Sequence, residues 1–325
     1  MAVTTTGTLD ASQAVAESRA ARSNIEDRIF FGLTLASAIF VVVMLVGVIV
    51  SLVVGAWPAL QAFGPGFVWG ARWSPVKEIF GALSPIYGTI VTSIIAMVIG
   101  IPVSFGIAIF LTELCPQPLR RPIGVAVELL AGIPSIIYGL WGFFYLAPFM
   151  AKWIQPAFDA SIGKVPVLGY LFQNTASGLN LFTGGFILAI MVLPFITSIT
   201  RDVFLTVPTL LRESAYGMGM TTWEVVRHIV IPYSRVGLVG GIMLGLGRAL
   251  GETMAVTFVI GNSHSINSSL FAPATTISAT IANEFAEATT GLYTSSLIAL
   301  GFVLSIITFA VLGIAKWLLV RGEIK

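Results

Sequence analysis

Charge is what this sequence has least of. Of its 325 residues only 10% are Asp, Glu, Lys or Arg, while 56% are hydrophobic. The mean hydropathy is +0.95. A soluble domain carries about a quarter charged residues, so a water-surrounded globule is excluded and the chain must be embedded in lipid. Cysteine is almost missing as well. Cys115 stands alone, which excludes an internal disulfide and a thiolate metal cluster. The two histidines, His228 and His264, are far apart, so no histidine metal site is expected, nor any cofactor. There is no Gly-x-x-x-x-Gly-Lys-Ser/Thr loop, which excludes ATP hydrolysis by that route. No apolar run contains Asp or His, so the paired groups of an intramembrane enzyme are absent and no catalytic residue is expected.

What is present is a series of long apolar runs. Spanning a bilayer takes about 20 mostly apolar residues. Six stretches qualify: 29–56, 86–111, 123–149, 181–200, 237–260 and 292–320. The fold class expected is an all-α membrane protein with six transmembrane helices. Internal breakers such as Gly100, Pro102, Pro134 and Pro194 are tolerable there, because neighbouring helices re-satisfy freed backbone groups. Residues 1–27 are rich in Ala, Thr and Ser with scattered charge, and they lack the apolar core and cleavage site of a signal peptide. They predict a disordered tail, leaving 28–325 as the membrane domain.

Orientation follows from Lys and Arg. Twelve fall in the N-tail, the 113–122 loop, the 201–235 region and the C-terminus, against four on the other side. Both termini are therefore expected in the cytoplasm. On the outer side, Trp57, Trp69 and Trp73 predict anchoring at headgroup level, and residues 150–180 an interfacial path. A helix over 276–285, with Ile277, Ile281 and Phe285 on one face, predicts either a solvated outer helix or a docking surface for an external partner.

Two adjacent stretches carry the functional signal. The first, about 207–232, leaves the membrane on the cytoplasmic side. Pro208 permits a fresh helix start, Gly217 and Gly219 interrupt it, Thr222 is placed to cap a second short helix, and Pro232 is expected to end the unit. The second stretch, 237–260, sets Gly237, Gly241, Gly245 and Ala249 four apart, a spacing that lets membrane helices pack closely. It also carries Arg248 and Glu252. A charge near the bilayer centre costs at least about 2.5–3.5 kcal/mol, and such groups usually line a solute path. Four residues apart, the two share one helix face. Arg suits an oxyanion, and Glu252 would hold the guanidinium and limit how tightly an anion binds. Glu128, early in the third run, is a further candidate for the path.

The first stretch reads Glu213-Ser214-Ala215, three residues, Gly219, nine residues, Ile229-Val230-Ile231-Pro232. It resembles the EAA loop of bacterial ABC importer permeases, with Ser214 for the middle Ala and Ile231 for Leu. In that family the loop docks on the ATP-binding subunit, so Glu213, Ser214, Ala215, Gly219, Ile229, Ile231 and Pro232 are expected to couple to it. The runs 247–256 (GRALGETMAV), 128–135 (ELLAGIPS) and 85–89 (PIYGT) resemble the PstC permease subunit of phosphate ABC importers, over nearly the whole chain from Arg28. The resemblance implies a type I ABC importer permease fold in a bacterial inner membrane. It implies a PstA-like second permease, two ATP-binding subunits, a soluble phosphate-binding protein and phosphate as substrate. Membrane lipid is the surroundings, and no nucleic acid is expected. Another oxyanion such as sulfate or molybdate, or the paired PstA-like subunit, is the alternative reading.

Overall fold

The computed structural model describes residues 6–161, 165, 168–173 and 177–323. Among them the chain is helical, with no strand beyond two isolated bridges, Ser74–Ile79 and Gly261–Ala274. It divides after Val54 into two units. The first is formed by helix α1, Thr6–Phe63, which continues past the boundary. Its segment Asp27–Phe63 is long enough to cross a membrane. Ile29, Phe30, Phe40, Val43 and Val54 are all exposed, which suits a helix solvated by lipid on every side. The disordered tail expected over 1–27 is instead helical from Thr6. Its alanines, among the best helix formers, offer the physical reason. Residues 1–5 lie outside the described residues.

The second unit, from Gly55, holds α2 (Leu83–Leu114), α3 (Gln117–Ala131), α4 (Ser135–Ser161) and α5 (Leu181–Leu205). It continues with α6 (Thr209–Gly217), α7 (Thr222–Leu250), α8 (Met254–Val259), α9 (Ile277–Glu284) and α10 (Gly291–Glu323). Helices α1, α2, α5, α7 and α10 are each long and apolar enough to span. A sixth span exists only if α3 and α4 are counted together, and these meet at 89°. The continuous third span expected over 123–149 is therefore broken, at Gly132-Ile133-Pro134. Pro134 disfavours helical backbone at the residue before it and removes an N–H.

Helix α5 is the centre of this unit. Ile187, Leu188, Val192, Ile196 and Phe204 along it are buried against α2, α7 and α8. The small-residue row of α7 meets it as expected. A Cβ on Gly237 would lie 2.5 Å from Val203, on Gly241 3.1 Å from Ile199, and on Gly245 2.7 Å from Ile196. Three glycines thus set the α5–α7 approach. Three of the hydroxyls buried in α2 are satisfied locally: Thr89, Thr92 and Ser93 each donate to a carbonyl four residues back.

The fifth span departs from expectation at both ends. Its helix begins at Thr222, and Pro232 does not terminate it. A π-helical turn, Val226–Val230, precedes the proline, with the Ile231 N–H reaching the Val226 carbonyl. Widening the helix there accommodates a residue that has no N–H to give. The helix then breaks at Gly251–Thr253 before α8, so the 237–260 segment is not one helix.

At the end remote from α6, Trp73 is buried, not an interfacial anchor. It donates from Nε1 to Glu284 Oε2 at 2.7 Å and stacks on His264. Glu284 also accepts from Tyr293 and pairs with His264. Trp57 and Trp69 stay exposed. Helix α9 is solvated over only part of its length: Ile277, Ser278, Ala279 and Thr280 are buried, whereas Ala282, Asn283 and the following Phe285 are exposed. Burial pushes the Glu284 carboxyl up, but the three donors and the His264 charge outweigh it and hold the group below the usual range.

Candidate functional site

The motif residues build a knob from α6 and the start of α7. Pro208 precedes α6 and Gly217 ends it. Gly219 has φ +86, where a side chain is strained. The cap of α7 is Thr221, one residue earlier than expected, in a reciprocal box: Thr221 N–H donates to Glu224 Oε2 at 2.8 Å, and Glu224 N–H to Thr221 Oγ1. Ala215, Val225 and Val230 are buried against Phe204, Val207 and Ala108, so the small residue of the motif is the one that lets α6 sit down. Glu213, Ser214, Gly219 and Pro232 are exposed, and Ile229 and Ile231 are half-buried. Around Glu213 the knob shows Leu210, Met218 and Trp223 to the outside, each more than 60% exposed. A group of large apolar side chains on a polar loop marks a contact surface.

The knob is tied back to two spans. Arg212 Nη1 lies 2.8 Å from Glu113 Oε1 at the end of α2, with the side chains only 16% and 5% exposed. Arg212 Nη2 donates to the Phe204 carbonyl of α5. Nothing in the spacing of Arg212 and Glu113 signals this pair, because its members lie on different elements far apart in sequence.

The charged break lies at the other end of α7. Arg248 is in the last turn, and its Nη2 is 3.2 Å from Glu252 Oε2. Glu252 is 3% exposed and Arg248 42%. Glu252 Oε1 also accepts the Ala255 N–H, 3.3 Å, so the buried carboxylate satisfies an orphan donor of α8. The guanidinium stands over the Phe195 ring at 5.8 Å. One guanidinium nitrogen meets Glu252, and the group borders an open cavity of about 650 Å³ lined by Phe195, Met243, Leu244, Leu312 and Lys316. Apart from its two cations the wall is overwhelmingly apolar, so little screens a charge brought there. Lys316 escaped sequence reasoning because it reads as one more basic residue near the C-terminus.

The structure brings Arg248 and Glu252 together but not Glu128. That carboxylate is half-exposed and pairs with Arg201 Nη1 at 2.7 Å, tying α3 to α5 near the knob end. Arg201 also binds Asp202. Among the described residues no cluster of His, Cys, Asp or Glu could hold a metal.

Comparison with known proteins identifies the family. Residues 79–321 match the family "Binding-protein-dependent transport system inner membrane component". The chain is 61% identical over 319 residues to the phosphate transport system permease protein PstC of Mesorhizobium japonicum, covering 97% of this chain and 98% of that one. It is 53% identical over 310 residues to PstC of Pasteurella multocida, covering 95% and 97%. A crystal structure of a bacterial ABC transporter involved in the import of the acidic polysaccharide alginate superposes with TM-score 0.60 at 16% identity, over 93% of this chain and 99% of that chain. That likeness speaks for the fold, a type I ABC importer permease. The chain therefore belongs to the binding-protein-dependent transport system inner membrane components, and within them to the PstC-like permeases.

Proposed function

We propose that this chain is the permease subunit of an ATP-driven importer of inorganic phosphate. The observation that carries the reading is that one helix, α7, has the coupling knob at its start and the Arg248–Glu252 pair at its end. Arg248 offers the anion a forked donor in an apolar cavity, where a charge-assisted contact is strong. Glu252 holds part of that fork and so keeps the anion's stay short. Glu128, paired with Arg201 at the knob end, belongs on this reading to the inner mouth of the path and is not a partner of Arg248. Lys316 adds a second positive charge to the cavity wall.

The chain hydrolyses no ATP itself. One of the two ATP-binding subunits would dock on the exposed face of the knob around Glu213, Ser214, Gly219 and Trp223. A PstA-like permease would complete the path, and a phosphate-binding protein would deliver the anion from the periplasm. The excess of Lys and Arg near the knob and both chain ends supports an inner-membrane topology with cytoplasmic termini. The naming of the relatives supports phosphate over sulfate or molybdate, and this subunit over the PstA-like one.

The test is uptake by the complete complex in proteoliposomes. Native complex should accumulate phosphate and not sulfate or molybdate. Arg248→Gln should abolish phosphate uptake while stimulated ATP hydrolysis persists. Normal uptake by that variant would remove Arg248 from the path, and selective sulfate or molybdate uptake by the native complex would overturn the substrate.

A further inference from the structure

Helix α7 is one route from the knob into the membrane, but the geometry points to a second. We propose that Arg212 is a clamp that transmits movement of the knob to α2 and α5, through its ion pair with Glu113 and its bond to the Phe204 carbonyl. The proposal rests on the importer reading above.

Three observations carry it. Arg212 lies on α6 beside the exposed Glu213, about 100° round the helix at 3.6 residues per turn, so a single helix turn joins the docking face to the clamp. Both members of the pair are largely buried, at 16% and 5% exposure, although each belongs to a segment at the membrane boundary where water is at hand. A surface pair there would contribute little and could be lost without consequence. A buried one costs more to desolvate than apolar side chains of the same volume, so stability alone does not account for it. Finally, the contacts converge on the knob-end termini of two spans. Glu113 sits in the π-helical turn Phe110–Leu114 that ends α2, and Phe204 in the last turn of α5. Arg120 holds the same turn from the other side by donating to the Thr112 carbonyl at 2.9 Å. Apolar packing of Ala215 against Phe204 and Val207 gives the knob a seat. The buried ion pair and the hydrogen bond to the Phe204 carbonyl are what resist sliding on it. A push on Glu213 would then reach α2 and α5 together with α7, moving the walls of the path as a body.

Removing one partner alone would strand a buried charge and could prevent folding. The test therefore uses the paired replacement Glu113→Leu with Arg212→Met, which preserves apolar packing. In proteoliposomes the assembled variant complex should still hydrolyse ATP, with phosphate moved per ATP lowered about five-fold or more, the lower range of coupling between sites. An unchanged ratio would overturn the clamp. A solute-independent arm separates this from failure of the substrate reading. Spin labels at Tyr216→Cys and Ile94→Cys, both exposed, with Cys115→Ala, report the distance from knob to α2. With the clamp intact that distance should stay fixed when ATP binds, and without it the distance should change. A native distance that changes as much as the variant's would also overturn the proposal.

Discussion

At the residue scale, the molecule's charges sort by what they can reach. Glu252 is buried and serves Arg248 and the Ala255 N–H at once. Glu252→Gln keeps an oxygen for the cap but removes the counter-charge. We expect phosphate to bind the nucleotide-free complex tighter by about 1.4 kcal/mol, tenfold, and uptake to slow; calorimetry finding equal affinity would contradict the role of Glu252. Glu284 makes a prediction in pH. Its folded pKa lies below its ordinary value because three donors and His264 overcome burial. A depressed carboxylate contributes stability in full above the unfolded pKa, about 4.3, and loses it as pH falls through the folded value. Native protein in detergent should therefore lose thermal stability below that range. Glu284→Gln should be less stable at pH 7 and should show a flatter acid profile. Parallel acid profiles for the two proteins would rule out this carboxylate as the titrating group.

At the element scale, the knob depends on two short-range devices. One is the Thr221–Glu224 box; the other is the left-handed turn at Gly219. A Cβ at Gly219 meets nothing within 4 Å, so Ala there tests backbone strain alone. Gly219→Ala should cost about 1–2 kcal/mol in the turn. Because that strain falls on the knob, the expected loss is in ATPase binding, measured by co-purification, with the helical content of the membrane domain unchanged by circular dichroism. The π turn ahead of Pro232 explains why the proline bounding the motif does not end the helix. That continuity matters: from Pro232 to Arg248 is about 24 Å of helix at 1.5 Å per residue, an unbroken rod between knob and cavity.

At the scale of the whole molecule, the second unit has α5 at its centre, with α2, α7 and α8 packed on it and a knob gripping the ends of α2 and α5. In the assembly proposed, both chain termini lie on the knob side. Impermeant labelling of cysteines placed at either end should succeed only in inverted vesicles, and labelling of either end from the periplasmic face would overturn the topology.

The family, the spans and the knob motif were all legible in the sequence. They depend on local pattern: apolar runs long enough for lipid, a glycine row every fourth residue, and a short consensus around Glu213, Gly219 and Pro232. The Arg248–Glu252 pair was legible for the same reason, since a helix places residues four apart on one face. The breaks at Gly132–Pro134 and Gly251–Thr253 were less so. Proline and glycine permit a break without requiring it, and neighbours decide whether the freed groups find partners. What only tertiary structure decided was each long-range pairing. Trp73 became a buried donor to Glu284 instead of an anchor, Glu128 found Arg201, Arg212 found Glu113, and Lys316 joined the cavity of Arg248. A charged side chain's partner is set by which helix ends arrive together in space. In a bilayer, where an unpaired charge is costly, that arrival assigns the roles that sequence spacing leaves open.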